Sequence, residues 1–314
     1  MDSAEWSALD HAAALRRASA IADEVGIRLL GVRSHAFAGR RGKVALFDVD
    51  GTPFAFVPGG PTTVGFDAGR FAPDQRQRRS FAAVADQLNV VDDIQAYVAA
   101  RTSPARQVVV PSLLVAVSAV DAAAVPAPVD DPMIVKLVTE ARAVRGDLGG
   151  QRHYHVKSAG RAAAVVRDDW TIERAWFIRT PTHAEVVERL AREGRRLLTA
   201  DEWEHACGAG ATTLFRWGDT APRGASDTLS VGPHREPNLF GLQIGQNPYD
   251  DEWTAEPAVA RGGDGGAMAH SGIGGFPAWL TLATAYRDPY YEQFLRTDSD
   301  LLDRVLIRPA IPVP

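Results

Sequence analysis

The stretch that decides the fold reads LLTADEWEHACG at residues 197–208 and is followed by FRWGD at residues 215–219. Thr199 and Glu202 stand at the spacing of a capping box. In that motif the threonine hydroxyl accepts a hydrogen bond from the glutamate N–H, and the carboxylate accepts one from the threonine N–H. The stretch therefore predicts a short helix that begins directly after Thr199.

The residues after the cap predict a buried face and an end for this helix. Trp203 and Cys207 are one helical turn apart and share a face. We expect both to be buried, with the thiol acting as a small packed group rather than a reactive one. Gly208 and Gly210 predict that the helix ends after about two turns.

Further motifs lie on both sides of this helix. Thr182 and Glu185 repeat the capping-box spacing and predict a preceding helix through Leu190, which Gly194 ends. Four more motifs complete the pattern: VPGG at 57–60, PNLFGL at 237–242, GQNPYDDEWT at 245–254 and RGGD at 261–264.

The order and residue identities of these motifs resemble those of the formylglycine-generating enzyme (sulfatase-modifying factor) family over residues 44–310. The resemblance implies an α+β fold, a variant of the C-type lectin fold with twisted antiparallel strands, a few helices and much irregular loop. It also implies two parts. Residues 44–314 form the formylglycine-generating-enzyme-like domain, and residues 1–43 form an N-terminal helical extension packed on it.

We predict a helix over residues 4–25 of the N-terminal extension, because their apolar positions approximate one helix face. Gly26 is expected to end this helix. The apolar face predicted for this helix consists of Trp6, Leu9, Ala13, Leu15 and Ile21. A ragged pattern of this kind favours packing against the main domain over membrane binding.

Residues 44–57 allow two interpretations. The segment DVDGT at 48–52 is similar to the nucleophile loop of haloacid-dehalogenase-type phosphatases. Pro53 and the immediate return to alternating apolar residues disagree with a loop that feeds a helix. Asp50-Gly51 between two alternating runs is instead typical of a β-hairpin, and we favour the hairpin.

The middle of the chain is predicted from periodicity and composition. We expect a helix over 79–100, a strand over 107–120, a surface loop over 121–132 and a helix over 132–145. We interpret the basic run Arg76-Gln77-Arg78-Arg79 as a solvated helix face rather than an anion site.

The chemistry of the family does not carry over to this chain. Formylglycine-generating enzymes bind Cu(I) with two cysteines, because soft thiolates select that ion. The resemblance places the equivalent positions at about Ala267 and Gly272, and residues 264–277 contain no cysteine. We therefore expect no copper and no formylglycine-generating activity, and whether the protein is an enzyme of another kind stays open.

The first functional hypothesis is a repurposed member that binds a peptide, a protein or a small molecule. Its cleft would be formed by the C-terminal half, where aromatic and arginine residues gather as they do on recognition surfaces. The predicted binding residues are Arg261, Asp264, His270, Trp279, Tyr286 and Arg287.

Calcium is the cofactor that the resemblance leaves in place. The family's calcium-binding segment aligns with Asn247 and Asp250, whose hard oxygen atoms suit Ca²⁺. The alternative interpretation of this segment is an exposed acidic turn.

The second functional hypothesis is a metal-dependent oxidoreductase of the non-haem iron type with a rebuilt histidine site. His153 and His155 are two positions apart on a predicted strand, so that they point to the same face. His234 and His270 are further candidate ligands. Alternation of this kind also occurs on any exposed strand, and we favour the interpretation without a transition metal.

Composition limits the partners. The 314 residues are 46% hydrophobic and 23% charged, with a net charge of −5, which argues against a nucleic-acid-binding surface. The sequence has no apolar run of bilayer-spanning length and no signal-peptide pattern at its start. A single cysteine excludes an internal disulfide framework. We expect a cytoplasmic protein.

Overall fold

The computed structural model describes residues 1–85, 93–150, 152–158, 161–179, 181–222, 231–270, 275–287 and 306–314; for Ala269 and His270 it describes only the backbone. The helices are α1 (Ser3–Ala8), α2 (His11–Val25), α3 (Gln75–Ala85), α4 (Ile94–Ala100), α5 (Pro132–Arg145), α6 (His183–Arg192), α7 (Ala200–Gly208), α8 (Ala267–His270) and α9 (Gly275–Leu280).

The strands are mostly short. They are β1 (Arg28–Phe37), β2 (Arg40–Val49), β3 (Thr52–Val57), β4 (Gly60–Val64), β5 (Arg106–Val110), β6 (Leu113–Ala116), β7 (Val120–Asp121), β8 (Ala124–Ala127), β9 (Tyr154–Ser158), β10 (Ala162–Val166), β11 (Ile172–Ile178), β12 (Glu252–Trp253), β13 (Ala260–Arg261), β14 (Leu306–Ile307) and β15 (Ala310–Pro312). Helices beside largely antiparallel sheets confirm the predicted α+β class.

The described residues divide into two compact units. The first contains residues 1–120, 187–287 and 306–314, and the second contains residues 121–186. The predicted boundary between 43 and 44 falls inside β2 and stays a prediction.

The main sheet of the first unit has the antiparallel order β1-β2-β3-β6-β15. Its β2–β3 connection is the predicted hairpin. Asp50 and Gly51 have φ values of 51° and 79°, the left-handed conformation that a two-residue turn of this type requires. Because β3 follows at once, the phosphatase-type interpretation is wrong.

The helix predicted over 4–25 is two helices. Asp10 interrupts it, because its carboxylate caps α2 by accepting the Ala13 N–H. Gly26 closes α2 in the left-handed conformation, as predicted. Trp6 is buried against the main sheet, whereas Leu15 of the predicted apolar face is 41% exposed.

The deciding helix α7 has the predicted capping box, with Thr199 and Glu202 each accepting the other's backbone N–H. Its end differs from the prediction. Gly208 is the last helical residue, and Ala209 takes the left-handed position with φ of 46°.

Predictions for the middle of the chain need three corrections. Of the helix predicted over 79–100, α3 and α4 are observed, and residues 86–92 lie outside the described residues. The strand predicted over 107–120 is divided, because Pro111 lacks an N–H for the ladder. The loop predicted over 121–132 is wrong, because β8 pairs with β11 there.

The second unit is an antiparallel sheet of order β8-β11-β10-β9 with α5 packed on it. Its core contains Ile134, Val156, Val166 and Trp170. Helix α5 has the predicted bounds and ends at Gly146.

In the parts of the chain that the structure describes, no helix is both long enough and apolar enough to cross a membrane.

Candidate functional site

A buried ion pair fixes helix α7 in the first unit. The Trp203 indole N–H donates to Glu252 Oε2 over 2.8 Å. Arg308 donates to both oxygens of Glu252, through Nε at 2.8 Å and Nη2 at 2.6 Å. Its remaining donors reach the backbone carbonyls of Ala116, Val117 and Gln243. Because every charged group has partners, this pair acts as a structural clamp.

A second buried carboxylate, Glu204, lies on the same helix. Its Oε1 accepts the Ser103 hydroxyl at 2.8 Å, with Arg106 Nη2 at 3.5 Å and Arg261 Nη2 at 3.9 Å. Among the described residues its Oε2 receives no hydrogen bond. The two guanidinium groups balance the buried charge, which gives predicted cleft residue Arg261 a structural position.

The Arg-Gly-Gly motif needs its glycines because the backbone passes close to other groups. A Cβ on Gly262 would lie 2.9 Å from the Trp203 ring. A Cβ on Gly263 would lie 1.7 Å from the Asp250 carbonyl oxygen. Asp264 is buried next to them, and its carboxylate accepts the N–H groups of Gly266 and Met268. Asp264 therefore shapes its own loop, and its role in binding stays a prediction.

The Arg216 guanidinium lies deep beside α7. It donates to the carbonyl oxygen of Gly245 at 2.7 Å and lies 5.1 Å from the Trp217 ring centre. Burial lowers the pKa of Arg216 to about 10, so that it stays protonated at neutral pH. Burial raises the pKa of Cys207 to about 12, so that the thiol stays protonated near neutral pH and is not poised as a nucleophile.

A cavity of about 160 Å³ opens between α3 and α9. We call it the α3–α9 pocket. Its lining residues are Arg76, Gln77, Ser80, Ala221, Pro222, Gly275, Phe276 and Trp279. Two aromatic rings thus meet polar side chains from one helix, which is the usual composition of a small-molecule site.

The polar rim of this pocket is held in place. Arg76 donates to the carbonyl oxygens of Ala221 and Pro222, which leaves further guanidinium N–H groups for a ligand. Ser80 Oγ accepts the Phe276 N–H at 2.9 Å and keeps its own hydroxyl proton to donate. The pocket therefore offers an aromatic floor and a positively charged, hydrogen-bond-donating rim.

His234 contributes packing next to the pocket. Its ring is fully buried and lies edge-on to Trp279 at 5.1 Å and to Trp217 at 6.2 Å between ring centres. This candidate iron ligand thus stands between two indole rings.

The structure places the predicted binding residues on several different elements. Trp279 lines the α3–α9 pocket, whereas Tyr286 is buried and pairs through its backbone with Thr102. The Arg287 backbone N–H donates to the Arg101 carbonyl oxygen. His270 ends α8, and its side chain lies outside the described part of the chain.

The predicted calcium pair forms a turn. Asn247 Oδ1 accepts the Tyr249 N–H at 3.1 Å, and the backbone carbonyl oxygen of Asn247 accepts the Asp250 N–H at 3.0 Å. Within the described residues, no group of three or more His, Cys, Asp or Glu side chains is arranged to hold a metal ion. The calcium assignment stays a prediction.

The predicted histidine pair sits in the second unit. His153 precedes β9, and its Nδ1 lies 2.9 Å from Glu173 Oε2. His155 is exposed on β9. A transition-metal role for the pair also stays a prediction.

Sequence reasoning missed the polar rim of the pocket. We expected a solvated face at residues 76–79, but Gln77 is 3% exposed and Arg76 caps two carbonyl groups. A signal was present, because Gln77, Phe81 and Val84 follow helical spacing and share one buried face.

Comparison with known proteins adds no assignment to this geometry: no family model matches the chain, and none of the curated proteins matches it.

Proposed function

We propose that this protein is a binding protein that holds one aromatic or aliphatic group of a small molecule or peptide in the α3–α9 pocket. The observation that carries the proposal is the pocket itself, with Phe276 and Trp279 beneath a rim of Arg76 and Ser80. Its volume of about 160 Å³ is close to that of an apolar cavity known to take up benzene, roughly 150 Å³.

The rim specifies the second feature of the ligand. Arg76 and Ser80 both present donors, so that the bound group carries an acceptor next to its apolar part. A carboxylate is the acceptor that an arginine binds most strongly. The proposed ligand class is therefore an aromatic carboxylic acid or a peptide that ends in an aromatic residue.

The proposal includes a scaffold. We propose a divergent formylglycine-generating-enzyme-like chain, with that family's variant of the C-type lectin fold and without copper-oxidase activity. The capped helix α7 and the close approach of Gly262 to Trp203 support a common framework. Ala267 at a copper-ligand position and the buried thiol of Cys207 support the loss of the oxidase chemistry.

A matched pair of variants tests the pocket. Titration calorimetry with N-acetylphenylalanine is expected to show one site on the unchanged protein. Arg76→Gln should weaken binding about tenfold, equal to about 1.4 kcal/mol. Arg79→Gln, on the exposed side of the same helix, should leave binding unchanged. Equal affinity for the Arg76→Gln variant and the unchanged protein would contradict the proposal.

Metal analysis separates this proposal from the oxidoreductase alternative. The purified protein is expected to contain no stoichiometric iron, copper or zinc, while calcium at Asn247 and Asp250 is compatible with a binding function. Stoichiometric iron that is lost after His153→Ala or His270→Ala would favour the non-haem iron enzyme.

A further inference from the structure

A second cavity, of about 410 Å³, opens beside the first helix and the first hairpin. We call it the α1–β2 groove. The residues that carry the argument are Ser7, Ser34, Ala36, Arg41 and Lys43. Its volume falls within the usual range of ligand sites, roughly 300–1,000 Å³. None of its lining residues contributes to the α3–α9 pocket.

Strand register places two cations on one face of this groove. Lys43 pairs with Ser34, and Arg41 pairs with Ala36. Residues two apart on a strand share a face and lie about 7 Å apart, within reach of one anion for long side chains. The small Ala36 opposite Arg41 leaves room above the strands.

The groove lies beside the part of this sheet face that the N-terminal helices cover. Ala45 and Phe47 follow Lys43 at alternate positions of β2 and are buried in the cluster that contains Trp6 and Ile21 of the N-terminal helices. Arg41 and Lys43 continue this face beyond the covered part.

Contacts from α1 hold Lys43 in place. The Trp6 indole N–H donates to the Lys43 carbonyl oxygen at 3.0 Å, and Lys43 Nζ donates to the Ser7 carbonyl oxygen at 3.0 Å. The ammonium group keeps two further protons for a ligand. The Arg41 side chain is exposed, so that its guanidinium donors can reach a ligand.

The lining carries positive charge without a carboxylate. In a chain with a net charge of −5, two cations and a serine hydroxyl facing one cavity select for an anion. Arginine binds phosphate oxygens in pairs, and lysine adds a point charge. We propose that the α1–β2 groove binds the phosphate group of a soluble phosphorylated small molecule.

Pyrophosphate is the probe that tests the groove. Titration calorimetry of the full chain at low ionic strength, about 50 mM, should show one site, and added salt should weaken it by screening. Arg41→Gln and Lys43→Gln should each weaken binding at least tenfold. Arg33→Gln is the matched control, because Arg33 pairs with Val44 and occupies the opposite face of the hairpin.

The outcomes divide clearly. Loss of binding in the Arg41 and Lys43 variants but not in the Arg33 variant supports the proposal, provided that all three unfold at the temperature of the unchanged protein. No pyrophosphate binding, or equal losses in all three variants, overturns it. Binding only to vesicles that contain a phosphoinositide would assign the groove to a lipid headgroup and overturn the soluble ligand.

Discussion

The clamp between Arg308 and Glu252 is a buried ion pair. Removal of either partner leaves the other charge buried without its counter-charge, which is costly. We expect Arg308→Met to lower the free energy of unfolding by about 3–5 kcal/mol, because the Glu252 charge is left without its buried partner and three backbone carbonyls lose the hydrogen bonds that Arg308 donates. Chemical denaturation followed by tryptophan fluorescence measures the change.

The control for this prediction is an exposed pair. Arg17 lies 3.3 Å from Glu24, and Arg17→Met should cost less than about 1 kcal/mol. Similar losses in the two variants would show that the Arg308 clamp has no special role.

His205 makes the stability of the protein depend on pH. Its Nε2 lies 2.8 Å from the Pro58 carbonyl oxygen, which only accepts, so that Nε2 carries the proton of the neutral ring. Nδ1 then accepts the Thr62 hydroxyl at 3.3 Å. Burial lowers the pKa of His205, although the hydrogen bond to Pro58 opposes the shift.

The sign of the pH effect follows from that direction. Below the ordinary histidine pKa of about 6.5, the unfolded ring gains a proton while the buried ring stays neutral. The free energy of unfolding should therefore fall between pH 7.5 and 5.5, by at most about 1.4 kcal/mol per pH unit from this residue. The decline should be shallower in His205→Gln; an unchanged slope would contradict this role.

Single residues were predicted well where a local rule decides their position. Thr199 caps α7 because the rule involves only its own helix, and Asp50-Gly51 turns the hairpin for the same reason. Asp264 was predicted to line a cleft and is buried, with its carboxylate bonded to the backbone of its own loop. Composition alone does not tell a buried polar residue from an exposed one.

The C-terminal end of helix α7 is strained, because Ala209 has a left-handed backbone conformation. Ala209 occupies the left-handed position that glycine adopts without cost. Ala209→Gly should raise the free energy of unfolding by about 0.5–1 kcal/mol, since relief of the Cβ strain exceeds the added entropy of the unfolded chain. Thermal unfolding measures the change, and a lower midpoint would contradict the prediction.

The elements that sequence reasoning missed depend on long-range pairing. Strand β8 contains Pro126, which an edge strand tolerates, and its backbone pairs with β11. An Ala- and Pro-rich segment of this kind carries no alternation that would predict a strand. Helix α5 and the end of α2 were easier, because their closing glycines, Gly146 and Gly26, directly follow them in sequence.

At the scale of the whole molecule, each compact unit has a buried core of its own. Among the described residues, the buried core cluster of the second unit runs from Ile134 to Ala175. We expect Ile134→Ala, which empties space in that core, to cost about 2–5 kcal/mol. In calorimetry it should lower the melting transition of the second unit and leave that of the first unit in place.

The control for this prediction is a substitution that creates a cavity in the core of the first unit. Phe47→Ala, in the core beneath α2, should lower the melting transition of the first unit and leave that of the second in place. If both variants moved a single common transition by the same amount, the two units would unfold together and the prediction would be wrong.

The α+β class was expected from the resemblance, and the capping and alternation of single elements agree with it. The division into two units was not, because the second unit begins in a segment that was expected to be a loop. The α3–α9 pocket joins residues about 200 positions apart in sequence, a distance that no local pattern spans.

The buried thiol of Cys207 also makes the protein its own unfolding reporter. As the single cysteine, it is the only group that a thiol reagent can label, and in the folded state it is inaccessible and uncharged. The rate of labelling therefore measures how often the first unit opens around α7, without an added probe. A ligand of either proposed site should slow that labelling as its concentration rises.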